Sequence, residues 1–159
     1  MRWWVACQGR RMTTMTLTEN ERLSVFVDSN VIIDGLILRD YDYQPSRDLI
    51  RSIIIGKYKG YICSKQITDI YYIFRKYLSS KEKAFEYIKR ISRFFEILPL
   101  LKGDILACLS KQQKDFEDAV LAEIAKVNMI PILVTNNVKD YEGWPLLIVS
   151  PEQFLTMYQ

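Results

Sequence analysis

The sequence predicts a three-layer α/β fold on a mostly parallel central sheet of four to five strands, and three observations carry that reading. Short β-branched or aromatic runs alternate with stretches of helical apolar spacing along all but the first part of the chain, the pattern of strand–helix–strand units. The run Val25, Phe26, Val27 shows no polar alternation, as expected of a strand covered on both faces. Finally, 159 residues with 49% hydrophobic and 13% aromatic content suit one domain with a real core. No repeat, low-complexity tract or internal linker divides it.

Residues 1–23 hold one apolar island at 3–7 and then a Thr-rich polar run without periodicity. They are expected to be a disordered arm or to precede the true start, being too short in apolar length for a signal peptide or a span. Residues 24–34, SVFVDSNVIID, read as a strand that ends in Asp28, followed by a helix opened by Ser29 and Asn30. A polar loop over 39–44 leads to a helix begun by Pro45 and Ser46 and closed by Gly56. Residues 59–63 form a second strand. Ser64 is placed to cap a helix over 65–78, and Asp69 lies at the edge of its apolar face, beside Ile73.

A helix over 81–93 and a strand over 94–98 follow. Asp104 is placed to cap the next helix, and DFEDAVLAEIAKV at 115–127 is another, ended by Asn128. Strands over 130–134 and 146–149 and a terminal helix from Pro151 complete the order.

The bulk chemistry excludes several classes. There is no histidine, so no imidazole base and no imidazole metal ligand. Cys7, Cys63 and Cys108 are odd in number and contain no CxxC pair, which suggests neither a disulfide framework nor a thiolate zinc site and fits a reducing cytoplasm. The net charge of +3 comes entirely from Arg2, Arg10 and Arg11. A local patch must therefore carry any case for nucleic acid. Residues 75–93 are that patch, including Arg75, Lys76, Lys81 and Lys83. They read either as solvated helix faces or as a phosphate-binding rim.

Carboxylates recur at strand ends and helix edges. Asp28 begins a turn or serves as a ligand at the sheet edge. Asp115 and Asp118 share a helix face with Ala122, while Glu117 points elsewhere, toward Leu121 and Ile124. An Asp-x-x-Asp at a helix start is also a capping arrangement. The cluster Thr135, Asn136, Asn137, Val138, Lys139, Asp140 again follows a strand directly. Convergence of Asp28, Asp69, Asp118 and Asp140 makes physical sense around a divalent cation, since bare carboxylates would raise one another's pKa. Mg²⁺ or Mn²⁺ takes such oxygen ligands.

In these motifs, VFVDSNVIID, the acid in ITDIYYIFRKYL, DFEDAVLAEIAKV and VTNNVKDYE, the sequence resembles the PIN-domain ribonucleases, especially the VapC-like toxins, over about residues 24–157. The resemblance implies a PIN-like nuclease domain over 24–159 that cleaves RNA to 5′-phosphate and 3′-hydroxyl ends. It implies Asp28, Asp69 and Asp118 as metal ligands with Asp140 completing the set. Ser29, Asn30, Thr135, Asn137 and Asp115 would support them. It further implies a small antitoxin protein as partner, and homodimers are common in the family. Two departures stand out: the mid-chain acid, usually glutamate, is Asp69, and Asn137 replaces the last aspartate of many members, with Asp140 three residues later. They bear on metal number and on a second reading, a weakened domain that binds RNA or protein without cutting. A phospho-acceptor signalling domain fits less well, for want of an acidic pair at the first strand and a lysine after the last.

Overall fold

The computed structural model describes residues 22–37, 43–110 and 115–158. The expectations for the N-terminal segment and for the loop after the first helix fall largely outside them. Among the described residues, five strands form one all-parallel sheet in the order β3-β2-β1-β4-β5. These are β1 (Ser24–Val27), β2 (Lys59–Cys63), β3 (Phe95–Leu98), β4 (Ile132–Val134) and β5 (Leu147–Val149). Strand β1 is therefore central, and its unalternated sequence has the predicted cause. Val25 and Val27 face one core with Ile132 and Val134, while Phe26 faces the other with Leu133.

One face is covered by α1 (Ser29–Leu36), α2 (Gln44–Ile54), α3 (Ser64–Leu78), α4 (Lys81–Phe94) and α7 (Pro151–Met157), and the other by α5 (Lys102–Leu109) and α6 (Phe116–Val127). The chain leaves β1 toward β2 on one side and returns to β4 on the other. This reversal of winding opens a crevice at the carboxyl ends of β1 and β4. Register fixes what meets there. Val27 pairs with Val134, and the Asp28 amide donates to the Val134 carbonyl at 3.0 Å, so Asp28 and Thr135 leave the sheet side by side.

Several boundaries differ from expectation. The Cys63 side chain, not Ser64, caps α3 by accepting from the Lys65 amide, while the Ser64 hydroxyl accepts from the Leu100 amide. Leu101 occupies the cap position of α5, and Asp104 instead reaches back from inside the first turn to accept the Leu101 amide at 2.9 Å. Strand β4 starts two residues late because Pro131 lacks an amide for the ladder. Asn128 does end α6, although the left-handed residue beyond it is Met129. Tyr71 is half-buried and packs on Phe85, whereas Tyr72 and Tyr77 are exposed. No helix among the described residues is long and apolar enough to cross a membrane.

Helices α1 and α2 approach closely because of one glycine. A Cβ on Gly35 would lie 2.8 Å from Ile50 Cγ1 and 2.9 Å from the Ser46 carbonyl oxygen. Gly35→Ala is expected to destabilise the fold by about 1–3 kcal/mol despite its better helix propensity. A urea midpoint at or above that of the parent would contradict this packing.

Candidate active site

Asp28 stands at the cap position of α1, yet its side chain makes no capping hydrogen bond to the helix. It is turned instead into the crevice and nearly buried. Its Oδ2 accepts from Asn30 Nδ2 at 2.9 Å, from the Thr135 hydroxyl at 2.8 Å and from the Tyr141 hydroxyl at 3.1 Å. Burial pushes the Asp28 carboxyl above its ordinary value, opposed by the Thr135 and Tyr141 hydroxyls and the Ser29 and Asn30 amides.

Asp118, one turn into α6, reaches the same hydroxyl. Its Oδ1 lies 3.0 Å from Tyr141 Oη. Asp115 caps the helix, its carboxylate accepting from the Glu117 and Asp118 amides, which frees Asp118 from capping. Burial first, and then the charges of Asp28, Asp115 and Asp140, push the Asp118 carboxyl up to about 6 against the lowering effect of Tyr141. A hydroxyl carries one proton, so Tyr141 donates to one carboxylate at a time. The second contact is satisfied only if one acid is protonated or a cation joins the pair.

The loop after β4 is tied to α1 rather than left to solvent. Asn30 Oδ1 accepts the Asn136 amide at 3.1 Å, and Asn136 Nδ2 donates to buried Asp34 at 2.8 Å. Thr135 Oγ1 accepts from Asn30 Nδ2 and from the Asn137 amide while donating to Asp28. From the other side, buried Gln66 donates to the Val27 carbonyl and to Ser29 Oγ, and its Oε1 accepts the Cys63 amide at 2.7 Å. Gln66 thus pins the ends of β1 and β2 together.

A pocket of about 340 Å³ lies over these groups, lined by Asp28, Ser29, Asn30, Asp69 and Asp118 and also by Lys65, Gln66 and Glu117. Asp69 and Ile73 both line it, so the helical-wheel position of Asp69 does look into a cleft. Its carboxylate, however, is held by Lys65 Nζ at 2.6 Å, with Glu117 Oε1 at 3.7 Å from the same ammonium. One expectation needs correction: Glu117 does not point elsewhere, since it lines this same pocket together with Leu121 and Asp118. Helix α3 also brings a cation of the chain's own, Lys65, beside Asp69.

Burial pulls the Lys65 pKa down, but the hydrogen bond and charge of Asp69 and then Glu117 outweigh it and leave it raised. Asp140 sits on a 3₁₀ turn, Val138–Tyr141, where its charge acts on Asp118 without its lining the pocket. Arg75, Lys76, Lys81 and Lys83 are exposed, and Lys81 and Lys83 line a separate groove of about 730 Å³ with Lys89 and Arg90.

The family comparison agrees with this fold. Residues 24–139 match the model of the PIN domain. The chain belongs to the PIN-domain family. Among PIN-domain relatives, ribonuclease VapC1 of Aquifex aeolicus is 29% identical over 135 residues, 82% of this chain and 92% of its own. A toxin–antitoxin complex from Klebsiella pneumoniae superposes with a TM-score of 0.59 at 20% identity, covering 80% of this chain and 97% of that one. VapC20 of Mycobacterium tuberculosis, a sarcin-ricin loop cleaving toxin, gives a TM-score of 0.61 at 11% identity, covering 76% and 95%. These structures share the PIN fold.

Around this site, the buried polar groups that sequence reasoning passed over are Gln66, Asp34 and the Tyr141 hydroxyl. The PIN-domain match ends two residues before Tyr141, and a tyrosine after a polar loop gives no signal of what its hydroxyl will touch.

The donors fit a hard divalent cation in part. All are oxygens, and Asp28 and Asp118 are both held above their ordinary pKa across one hydroxyl, a pair that a cation would relieve. A third carboxylate is not assembled with them among the described residues, Asp69 being held by Lys65.

Between the ordinary 3.8 and about 6 for Asp118, the native state binds more protons than the unfolded chain, so stability falls as pH rises through that window. In chelator, the protein is expected to lose about 1 kcal/mol between pH 4 and pH 7, a figure that allows for solvent screening of a half-exposed group. Asp118→Asn should flatten this dependence, and an unchanged slope in thermal unfolding would contradict it. Tyr141→Phe is expected to cost about 1–2 kcal/mol and to move the Asp118 titration above about 6, as read by carboxyl carbon NMR. A downward movement would mean that the hydroxyl does not serve the ionised acid.

Proposed function

We propose that this PIN-domain protein is a divalent-metal-dependent endoribonuclease, the toxin of a toxin–antitoxin pair, acting on RNA in the cytoplasm. One observation supports this above the others. The fold brings Asp28 from β1 and Asp118 from α6 to the two sides of a single buried hydroxyl at the mouth of the central crevice. The relative named as a ribonuclease and the sarcin-ricin loop cleaving toxin of like fold support the reaction class, and the toxin–antitoxin complex of like fold supports the partner class.

In this reading Asp28 and Asp118 hold Mg²⁺ or Mn²⁺, and the charge of Asp140 acts on Asp118. When bound, the ion lowers the pKa of water and neutralises developing charge on the phosphate. The chain does the positioning. Asn30, Thr135 and Tyr141 fix the Asp28 carboxylate, Gln66 holds Ser29 at the rim, and Asp115 sets the first turn of α6 so that Asp118 faces the pocket. The exposed basic residues Arg75, Lys76, Lys81 and Lys83 suit contact with the RNA backbone, an electrostatic contribution that weakens with salt. A small antitoxin protein would silence the enzyme, and the exposed Tyr72 and Tyr77 offer a surface for a homodimer.

The second reading, a PIN domain that binds RNA or protein without cutting it, is favoured by the Lys65–Asp69 pair, which occupies the mid-chain acid. Purified protein with Mn²⁺ is expected to cleave a loop-containing RNA to 5′-phosphate ends, and Asp28→Asn to reduce the rate by about 100-fold or more. Equal cleavage by Asp28→Asn would overturn the assignment. RNA binding that persists in chelator, with no cleavage in any divalent metal, would establish the second reading instead.

A further inference from the structure

The pocket carries a cation of its own. Lys65 keeps 31% of its side-chain exposure, and its ammonium lies 2.6 Å from Asp69 and 3.7 Å from Glu117. Asp69 is four residues along the same helix, α3, whereas Glu117 comes from the first turn of α6. An exposed i,i+4 pair would be a mobile helix decoration of little consequence. This one is half-buried, bonded at charge-assisted length, and shared with a second helix across the pocket.

The other two acids of the pocket are treated differently. Among the described residues, no lysine or arginine lies within ion-pairing distance of Asp28 or Asp118. The groups that touch them are hydroxyls and amides, which orient a carboxylate but bring no net charge. The four carboxylates therefore divide into an outer pair that shares one ammonium, closely at Asp69 and more loosely at the exposed Glu117, and an inner pair that has none.

We infer that Lys65 is the fixed second cation of this site, so that the chain takes one divalent ion, at Asp28 and Asp118, rather than two. A second ion at Asp69 would have to break the Lys65 contact and then sit within a few ångströms of the displaced ammonium, a repulsion that grows as the pocket excludes water. Lys65 is on this account a positioning residue: it keeps Asp69 and Glu117 from competing for the ion held by the inner pair. The inference rests on the metal-dependent reading above and concerns the number of ions, not the reaction.

Calorimetric titration of the full chain with Mn²⁺ tests it. The parent and Lys65→Arg are expected to bind one ion per chain. Lys65→Met and Lys65→Gln, which free Asp69, are expected to bind two, and Lys65→Met combined with Asp69→Asn to return to one. Asp69→Asn alone should stay at one. Two ions in the parent, or one in both neutral Lys65 variants, would overturn the inference and leave the metal-dependent reading standing. No Mn²⁺ binding by the parent would overturn that reading and this inference with it. If the Lys65 variants fail to fold by circular dichroism, the parent and Asp69→Asn decide the matter: one ion in each supports the inference, whereas two falling to one refutes it.

Discussion

The Asp28 carboxylate accepts hydrogen bonds from residues of three different parts of the chain: Asn30 in the first turn of α1, Thr135 just past β4, and Tyr141 at the end of the 3₁₀ turn. A carboxylate removed from water must be so supplied or else be neutralised. The strand register, the close seating of the post-β4 loop on α1 and the burial of Tyr141 are consistent parts of that supply. Asn30 and Thr135 each serve more than one partner, so the network couples β1, β4 and α1 through short side chains with few rotamers.

The same network leaves a deficit of positive charge. Hydroxyls and amides satisfy the geometry of Asp28 and Asp118 without cancelling their charge, and burial then holds both acids above their ordinary pKa. In the same pocket the Lys65 ammonium pairs with Asp69 and lies near Glu117, which cancels one of their two charges. The pocket is thus electrostatically uneven, with an inner side poised to take a proton or a cation and an outer side that already holds one in the Lys65 ammonium. Stability and function pull in opposite directions at the inner side, since the ionisation that would make it a good cation site also destabilises the empty fold.

How the two inner acids meet is a matter of topology. Asp28 and Asp118 are ninety residues apart in the chain and come from opposite sides of the sheet, the one at the end of β1 beneath α1, the other on α6. Only the reversal of winding between β1 and β4 brings them to one crevice. The toxin–antitoxin complex of Klebsiella pneumoniae and VapC20 share this architecture at sequence identities of 20% and 11%, as expected if burial pattern and strand order, rather than particular core residues, preserve it.

Strand and helix order was legible in the chain because it depends on periodicity, which is local: the unalternated Val25 to Val27, the turn residues after it and the alanine face of α6 each report their own environment. The acids at strand ends were legible for the same reason, Asp28 by its abrupt arrival after an apolar run and Asp118 by its spacing from Asp115. Fine capping at Ser64 and Asp104 was not, because either of two neighbouring groups can satisfy the same amide and tertiary contacts choose between them. What only the tertiary structure decided is which groups stand against those acids. Tyr141, Gln66 and Lys65 belong to elements whose own patterns are ordinary, and their roles arise from distances across the fold. A sequence shows that carboxylates will gather, but whether a hydroxyl, an amide or an ammonium meets each of them depends on contacts that no local pattern encodes.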